Sequence, residues 1–185
     1  DKYVEEFGEM VKLHTKKFLY AEESIDKKLR LSQIGKPDRQ LWFDINSNKK
    51  RALLTSSTRI KFLYGYILEE FLLMCASIAG HDVKDQQKEV SVGGVVGHQD
   101  CIIDGVLVDV KSASSSSFRK FKHNKLTEDD PFGYIAQISA YAQANNLKDA
   151  AFLAIDKSTG ELALAPVYSM EFINAEARVK HLKGL

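Results

Sequence analysis

The sequence predicts an α/β protein in which a mixed central β-sheet is flanked by α-helices. Apolar residues recur at helical spacing over residues 3–20 and 59–79, which predicts two helices. Asp104-Gly105 lies between two apolar, β-branched runs, and this pattern predicts a β-hairpin. A helix, a second pair of strands and a final helix follow, so helices and strands alternate as this fold class requires.

The chain of 185 residues is predicted to be a single domain, with an N-terminal helical extension over about residues 1–55 and a core over about 56–185. Its net charge of +1 provides no general attraction to nucleic acids or membranes, so any binding must come from local clusters. Two cysteines are too few for a disulfide framework or an iron–sulfur cluster, and they favour a reducing compartment such as the cytoplasm. Neither a secretory signal nor a membrane-spanning apolar run is found.

The segment between the first two helices has an irregular, charged pattern. Residues 21–55 predict turns at Gly35-Lys36-Pro37 and Asn46-Ser47-Asn48. Lys49-Lys50-Arg51 either contacts phosphates or belongs to a solvated loop. His14, in the first helix, is expected to be a surface or half-buried histidine rather than a metal ligand, because no second metal ligand stands at a matching spacing.

The second helix is expected to be largely buried, with N-terminal caps at Ser56-Ser57-Thr58. Glu69 and Glu70 interrupt its apolar sequence, where a charge is costly unless it is paired or bound to a metal. Glu69 is preferred as the inward-facing acid, because Gly65 on the same helical face would let another backbone approach closely.

The hairpin at Asp104-Gly105 predicts a specific register. A two-residue turn places Asp100 opposite Asp109 and His98 opposite Lys111, with all four side chains on one face of the strands. At about 5 Å and an effective dielectric of about 20, two carboxylates repel by roughly 3 kcal/mol. Lys111 offsets only part of this repulsion, so the pattern favours an oxygen-liganded divalent cation such as Mg²⁺. The alternative is a solvated cluster of two acids and a lysine on a surface hairpin.

Two further segments complete the pattern. Gly93-Gly94 predicts a turn between strands, and a Ser-rich, basic and aromatic segment follows Lys111. Over residues 112–125, this segment either grips a phosphate backbone, becoming ordered on binding, or is a flexible solvated loop. Its Phe118 and Phe121 either stack on bases of an unpaired strand or pack the segment onto the core. Asp130 is expected to cap a helix whose first residue is Pro131.

Gln137 and Tyr141 lie on one face of that helix, four residues apart. Residues 150–167 predict a pair of strands that turns through Asp156–Gly160, and a final helix is expected from Tyr168.

Four short motifs, taken together, resemble those of the PD-(D/E)XK nuclease superfamily and its RecB-like branch of exonucleases. Gly65 and Glu69 match a first motif, GxxxE. Gly97-His98-Gln99-Asp100 matches a second, G-h-x-D, and Asp109-Val110-Lys111 resembles a third, usually E-h-K. Gln137 and Tyr141 match the QxxxY helix of the RecB-like branch. The resemblance covers residues 58–141 and implies a restriction-endonuclease-like core.

Two residues depart from the commonest family pattern. Glu69 stands where many relatives have His, and Asp109 stands where many have Glu, so both remain oxygen ligands. The four cysteines of the iron–sulfur members are absent. The chain is therefore most similar to phage-type nucleases that act in recombination, repair and DNA processing.

The resemblance implies roles for individual residues. Glu69, Asp100, Asp109 and the Val110 carbonyl would hold one or two Mg²⁺ or Mn²⁺ ions. Lys111 would orient the attacking water or stabilise the transition state. DNA with single-stranded or free ends would be positioned by a further set of side chains: Gln137, Tyr141, Ser112, Arg119, Lys120 and Lys122.

The implied activity is that of a metal-dependent DNA exonuclease. The alternatives are a structure-specific endonuclease, a non-catalytic nucleic-acid-binding module on the same fold, and a metal-dependent phosphatase that acts on small molecules.

Overall fold

The structure is a computed structural model that describes residues 2–20, 28–47 and 55–185. The described residues form two compact units. The first contains residues 2–20 and 55–83, and the second contains residues 28–47 and 84–185. The helices are α1 (Lys2–Tyr20), α2 (Asp38–Asn46), α3 (Ser56–Ile78), α4 (Ser115–Lys122), α5 (Tyr134–Ala144) and α6 (Ala175–Lys183).

The strands form two sheets. They are β1 (Val83–Lys84), β2 (Glu89–Val92), β3 (Val95–His98), β4 (Cys101–Ile103), β5 (Val106–Ala113), β6 (Asp149–Asp156) and β7 (Leu162–Tyr168). One sheet has five strands in the order β1-β4-β5-β6-β7, and the other pairs β2 with β3. Because β5 and β6 are parallel while β4–β5 and β6–β7 are antiparallel, the central sheet is mixed, which confirms the predicted fold class.

In the first unit, α1 packs against α3, as expected for two amphipathic helices. Thr55 caps α3 by accepting a hydrogen bond from the Thr58 backbone N–H, one residue before the predicted caps. The prediction that α3 is largely buried was wrong, because only Leu72 and Leu73 of its apolar side chains are buried. Five large ones are exposed: Ile60, Phe62, Tyr64, Phe71 and Ile78.

His14 and Glu70 are the buried polar pair of this unit. His14 Nε2 lies 3.4 Å from Glu70 Oε1, and the His14 ring stacks on Tyr66 at 4.8 Å. The expectation of an exposed or half-buried His14 was therefore wrong. Glu70, rather than Glu69, is the buried acid of α3, while Glu69 is half-buried.

Residues 28–47 are more regular than predicted, because they contain a 3-10 turn at Leu31–Gln33 and the helix α2. Three apolar side chains enter the core of the second unit: Leu31, Ile34 and Leu41. Arg178 on α6 secures this segment by donating to the carbonyls of Ile34 (2.8 Å) and Lys36 (2.9 Å). Such long-range support leaves no local pattern in the sequence. The cluster at Lys49-Lys50-Arg51 lies outside the described residues.

The hairpin register is confirmed where β4 and β5 pair. Cys101 faces Val108, Ile102 faces Leu107 and Ile103 faces Val106. Asp104 and Gly105 have φ angles of 50° and 84°, as a type I′ turn requires.

The predicted extension of this ladder to His98 was wrong. His98 ends β3, where it pairs with Glu89 across the separate β2–β3 hairpin. The chain turns between the two sheets at Gln99, which is fully buried. The Gln99 backbone N–H donates to the Lys88 carbonyl (3.1 Å), and its side chain accepts from Asn145 Nδ2 (2.6 Å). These tertiary contacts hold the backbone at Gln99, so pairing with β5 begins only at Cys101.

The Ser-rich segment is a helix rather than a flexible loop. Ser114 caps α4, and Phe118 and Phe121 are each only 2% exposed within the core. The Phe121 ring meets those of Tyr134 and Phe152 at centroid distances of 5.9 Å and 5.6 Å. Of the two alternatives for these phenylalanines, packing onto the core is therefore confirmed, and neither ring is free to stack on a DNA base.

The cap of the next helix also differs from its prediction. The carboxylate of Asp130 accepts hydrogen bonds from the N–H groups of Tyr134 (2.9 Å) and Ile135 (2.8 Å). Asp130 therefore binds the first turn of α5, but the residue at the N-cap is Gly133, and Pro131 lies in the preceding loop rather than at the first helical position. The strand pair β6–β7 is confirmed, and α6 begins after Asn174 rather than at Tyr168.

Phe121→Ala should lower the free energy of unfolding by about 3 to 5 kcal/mol, because it leaves a cavity among buried aromatic rings. Urea unfolding of the wild type and of Phe121→Ala would measure the difference. A Phe121→Ala protein as stable as the wild type would show that this ring does not support the core.

The chain contains two cysteines, and both are free thiols. Over the described ranges, no helix is both long enough and apolar enough to cross a membrane.

Candidate active site

The β4–β5 hairpin holds Asp100 at its open end. The ladder stops at Cys101, so Asp100 does not face Asp109 as a paired residue in the sheet. Instead, Asp100 Oδ2 accepts a hydrogen bond from the Val110 backbone N–H at 2.7 Å. The side chain therefore crosses to β5 and stands beside the residues of the Asp109-Val110-Lys111 motif.

Asp109 is the most deeply buried acid of the second unit, with an exposed fraction of 1%. Its Oδ2 lies 2.5 Å from Lys111 Nζ as an ion pair. Its Oδ1 is buried and has no hydrogen-bond partner among the described residues. A buried carboxylate oxygen without a partner is costly and is therefore a sign that another group completes the site.

Lys111 lies between the two acids and an aromatic ring. Its Nζ is 4.9 Å from the centroid of the Tyr134 ring, a cation–π distance. Burial lowers the pKa of Lys111, but the charges of Asp109 and Asp100 raise it by more, so its net pKa lies above the usual value. Lys111 is therefore a permanent cation at neutral pH.

Helix α5 forms one wall of the site through Tyr134, Gln137 and Tyr141. Tyr141 is 1% exposed and is hydrogen-bonded to Gln137. Burial and the charges of Asp109 and Asp100 raise the pKa of Tyr141, so its phenol stays neutral. Burial likewise raises the pKa of Tyr134.

Tyr134 was missed by the sequence analysis, because an aromatic residue at a helix start looks like ordinary core. Its spacing from Gln137 and Tyr141, one and two helical turns away, was the available signal.

Gly97 explains how two of the motifs come together. A Cβ atom at this position would lie 2.7 Å from Leu31 Cβ and 2.8 Å from Tyr141 Cε1. Only glycine lets the ring of Tyr141 pack so closely against β3. The glycine of the G-h-x-D motif and the tyrosine of the QxxxY motif thus fit one another. Since Tyr141 is enclosed, its contribution is to support the site rather than to present a free surface.

The remaining predicted residues lie on β5, α4 and α3. Ser112 is half-buried on β5, and Arg119 is exposed on α4. Lys120 and Lys122 form ion pairs, each at 2.5 Å, with Asp129 and Glu161 respectively. Glu69 lies on α3, in the first unit.

The donor set of the second unit fits a hard divalent cation. Asp100 and Asp109 offer carboxylate oxygens, which Mg²⁺ and Mn²⁺ prefer, and Asp109 Oδ1 needs a partner. Within the residues that the structure describes, no three His, Cys, Asp or Glu side chains form a ready-made metal site. The second unit itself brings two carboxylates together, those of Asp100 and Asp109.

Comparison with known proteins gives matches in structure but not in sequence. No protein-family model and no curated protein matches this chain. A phage-related exonuclease from Haemophilus somnus 129PT has a similar structure, with a TM-score of 0.54, 15% identity, and coverage of 84% of this chain and 88% of that one.

A second similar structure is LHK-Exo, an alkaline exonuclease from Laribacter hongkongensis, solved in complex with dAMP. Its TM-score is 0.50 at 11% identity, with coverage of 86% of this chain and 90% of that one. At such low sequence identity, the similarity to these two proteins is one of fold alone. The chain thus has the α/β fold of these exonucleases, as its resemblance to the PD-(D/E)XK superfamily implies.

Proposed function

We propose that the chain is a metal-dependent deoxyribonuclease, and specifically an exonuclease that hydrolyses DNA phosphodiester bonds in recombination, repair or DNA processing. The observation that carries the proposal is the buried Asp109 carboxylate, which has one oxygen beside Lys111 and the other without a partner in the described structure. The exonuclease-like fold supports it.

The proposed metal is Mg²⁺ or Mn²⁺, held by Asp100, Asp109 and the Val110 carbonyl. Glu69 belongs to the first unit, and its part in metal binding stays a prediction. When bound, such an ion polarises phosphate oxygens and lowers the pKa of a coordinated water. Asp100 is already oriented by the Val110 N–H, which limits the entropy lost when it binds the ion.

Lys111 is proposed as the catalytic cation. Because it remains protonated, it can donate hydrogen bonds to the attacking water or to the phosphate, where negative charge develops in the transition state. Tyr134 covers the Lys111 ammonium group, and Tyr141 with Gln137 supports the same wall. These contacts hold the ammonium group in place and limit its hydration.

The DNA backbone is proposed to run along Ser112 and the basic residues of α4: Arg119, Lys120 and Lys122. Lys120 and Lys122 are already paired with acids, so DNA phosphates would have to replace Asp129 and Glu161. The proposed substrate is DNA with single-stranded or free ends, and the dAMP bound to LHK-Exo is consistent with a nucleotide site on this fold.

Replacing Arg119, Lys120 and Lys122 together by alanine should weaken DNA binding and flatten its salt dependence. Each phosphate contact contributes a slope of roughly 0.7 to 0.9 in log affinity against log salt, so the slope should fall by about 2. Affinity measured for single- and double-stranded oligonucleotides across a salt series gives the slope. Equal slopes in both proteins would mean that DNA binds elsewhere.

The direct test of the function uses labelled linear and circular DNA with Mg²⁺, Mn²⁺ or EDTA. Loss of linear DNA alone, blocked by EDTA, is the result expected of an exonuclease. Cleavage of circular DNA or of branched substrates would favour a structure-specific endonuclease. Release of phosphate from nucleotides alone would identify a small-molecule phosphatase.

A non-catalytic nucleic-acid-binding module is the second candidate. Binding of DNA without cleavage under any of these metal conditions would support it over the nuclease.

A further inference from the structure

The site extends outward from Lys111 through two stacked aromatic rings. Lys111 Nζ lies 4.9 Å from the Tyr134 centroid, and Phe132 stacks on Tyr134 at 5.4 Å with an interplanar angle of 27°. Phe132 is 60% exposed, so much of its ring remains open to solvent. A lysine, a half-buried tyrosine and an exposed phenylalanine therefore form a continuous path from the acidic centre to the surface.

The base of this stack is held firmly. The Tyr134 ring is also packed by Phe121 at 5.9 Å and Phe152 at 6.1 Å, both of which are core residues. The Asp130 carboxylate accepts from the N–H groups of Tyr134 and Ile135, which anchors the loop that carries Phe132. Tyr134 therefore offers Phe132 a fixed surface.

The backbone between the two rings is held as well. Gly133 has a φ of +74°, and a Cβ atom at this position would lie 2.4 Å from Gly35 Cα. The loop thus packs backbone to backbone against the segment before α2. An exposed phenylalanine on such a supported loop keeps its orientation, which lowers the entropy lost when a planar ligand stacks on it.

We propose that the exposed ring of Phe132, backed by Tyr134, is a stacking platform for a nucleobase of an unpaired DNA strand whose phosphate lies at Lys111. This subsite rests on the proposed nuclease function. A nucleobase matches the platform because it is flat and uncharged, and a phosphate farther along the same strand carries the negative charge that suits Lys111. Bases inside a duplex are already stacked, so the platform selects frayed or single-stranded ends.

Phe132 takes the role that the sequence analysis gave to Phe118 and Phe121. Those two rings are buried in the core and cannot reach a base without unfolding α4. Phe132 has the exposure that stacking needs and a direct ring contact to the residue that covers Lys111.

The test compares Phe132→Leu with Phe132→Trp, and uses Phe43→Leu as a matched control at an exposed phenylalanine on α2. Binding is measured in EDTA, so that no cleavage occurs, with single-stranded oligonucleotides and blunt duplexes. One single-stranded probe carries 2-aminopurine at its end, because stacking on an aromatic ring quenches its fluorescence.

Phe132→Leu should weaken single-strand binding by about tenfold or more, because one base-stacking contact is lost. It should also remove the quenching of 2-aminopurine, while duplex affinity changes by less than about twofold. Phe132→Trp should restore both signals, and Phe43→Leu should resemble the wild type. An unchanged melting temperature establishes that Phe132→Leu has not perturbed the fold.

The platform is overturned if Phe132→Leu keeps wild-type single-strand affinity, or loses no more than Phe43→Leu does. It is also overturned if single-strand and duplex binding weaken equally, or if the wild type binds no single-stranded DNA. Cleavage by wild type with Mn²⁺ is assayed separately. Cleavage without a Phe132 effect removes the platform alone, whereas a strand-selective Phe132 effect without cleavage removes the nuclease function alone.

Discussion

Mn²⁺ or Mg²⁺ should stabilise this protein, and Asp109→Asn should abolish that stabilisation. Binding of an ion at about 100 times its dissociation constant adds about 2.7 kcal/mol to the free energy of unfolding. For a chain of this size, that is a rise of about 5 to 10 °C in melting temperature. The asparagine keeps the shape of the side chain but removes its charge and one anionic oxygen, so the rise should disappear.

The same substitution should lower the rate of DNA cleavage by at least about 100-fold, because the metal no longer binds at the carboxylate. Asp129→Asn is the matched control, since it makes the same change at an exposed carboxylate that pairs with Lys120. Thermal melts with and without Mn²⁺ measure the stabilisation by the metal, and cleavage of labelled linear DNA measures the rate. If the Asp109→Asn protein responded to Mn²⁺ as the wild type does, the ion would bind elsewhere and the role assigned to the buried carboxylate would be wrong.

Lys111→Ala should lose catalysis but should still bind DNA and the metal. If Lys111 stabilises charge that develops only in the transition state, its removal should lower the cleavage rate by about 100- to 1000-fold. The affinity for DNA should change by less than about threefold. Lys148→Ala, at an exposed lysine on the loop before β6, is the control for the loss of one positive charge.

Lys111→Ala should also destabilise the metal-free protein by about 3 kcal/mol, because it leaves the Asp109 carboxylate buried without its counter-charge. A bound cation should replace that counter-charge, so the Mn²⁺-induced rise in melting temperature should exceed that of the wild type. Single-turnover rates, DNA titrations and thermal melts separate these effects. A loss of DNA affinity as large as the loss of rate would instead assign Lys111 to substrate binding.

The sequence by itself determined the parts of this protein that depend on local chemistry. Asp104-Gly105 set the turn, and alternation along β5 placed Asp109 and Lys111 on one face. The strand pair after residue 149 follows from an equally local signal. In each case the residues that decide the geometry are neighbours in the chain, so their pattern can be recognised without knowing the fold.

Only the tertiary structure decided where the hairpin ends and which aromatic residues are free. Asp100 leaves the ladder because buried Gln99 bonds to distant Asn145, and its carboxylate then reaches the Val110 N–H instead. Phe121 is buried in the core, whereas Phe132, eleven positions later in the chain, stays exposed. Burial depends on residues far away in the chain, and the hydrophobic effect has no direction along the sequence. Local patterns therefore predicted that Asp109 and Lys111 share a face, but not that Tyr134 lies beside Lys111 or that Phe132 stays exposed.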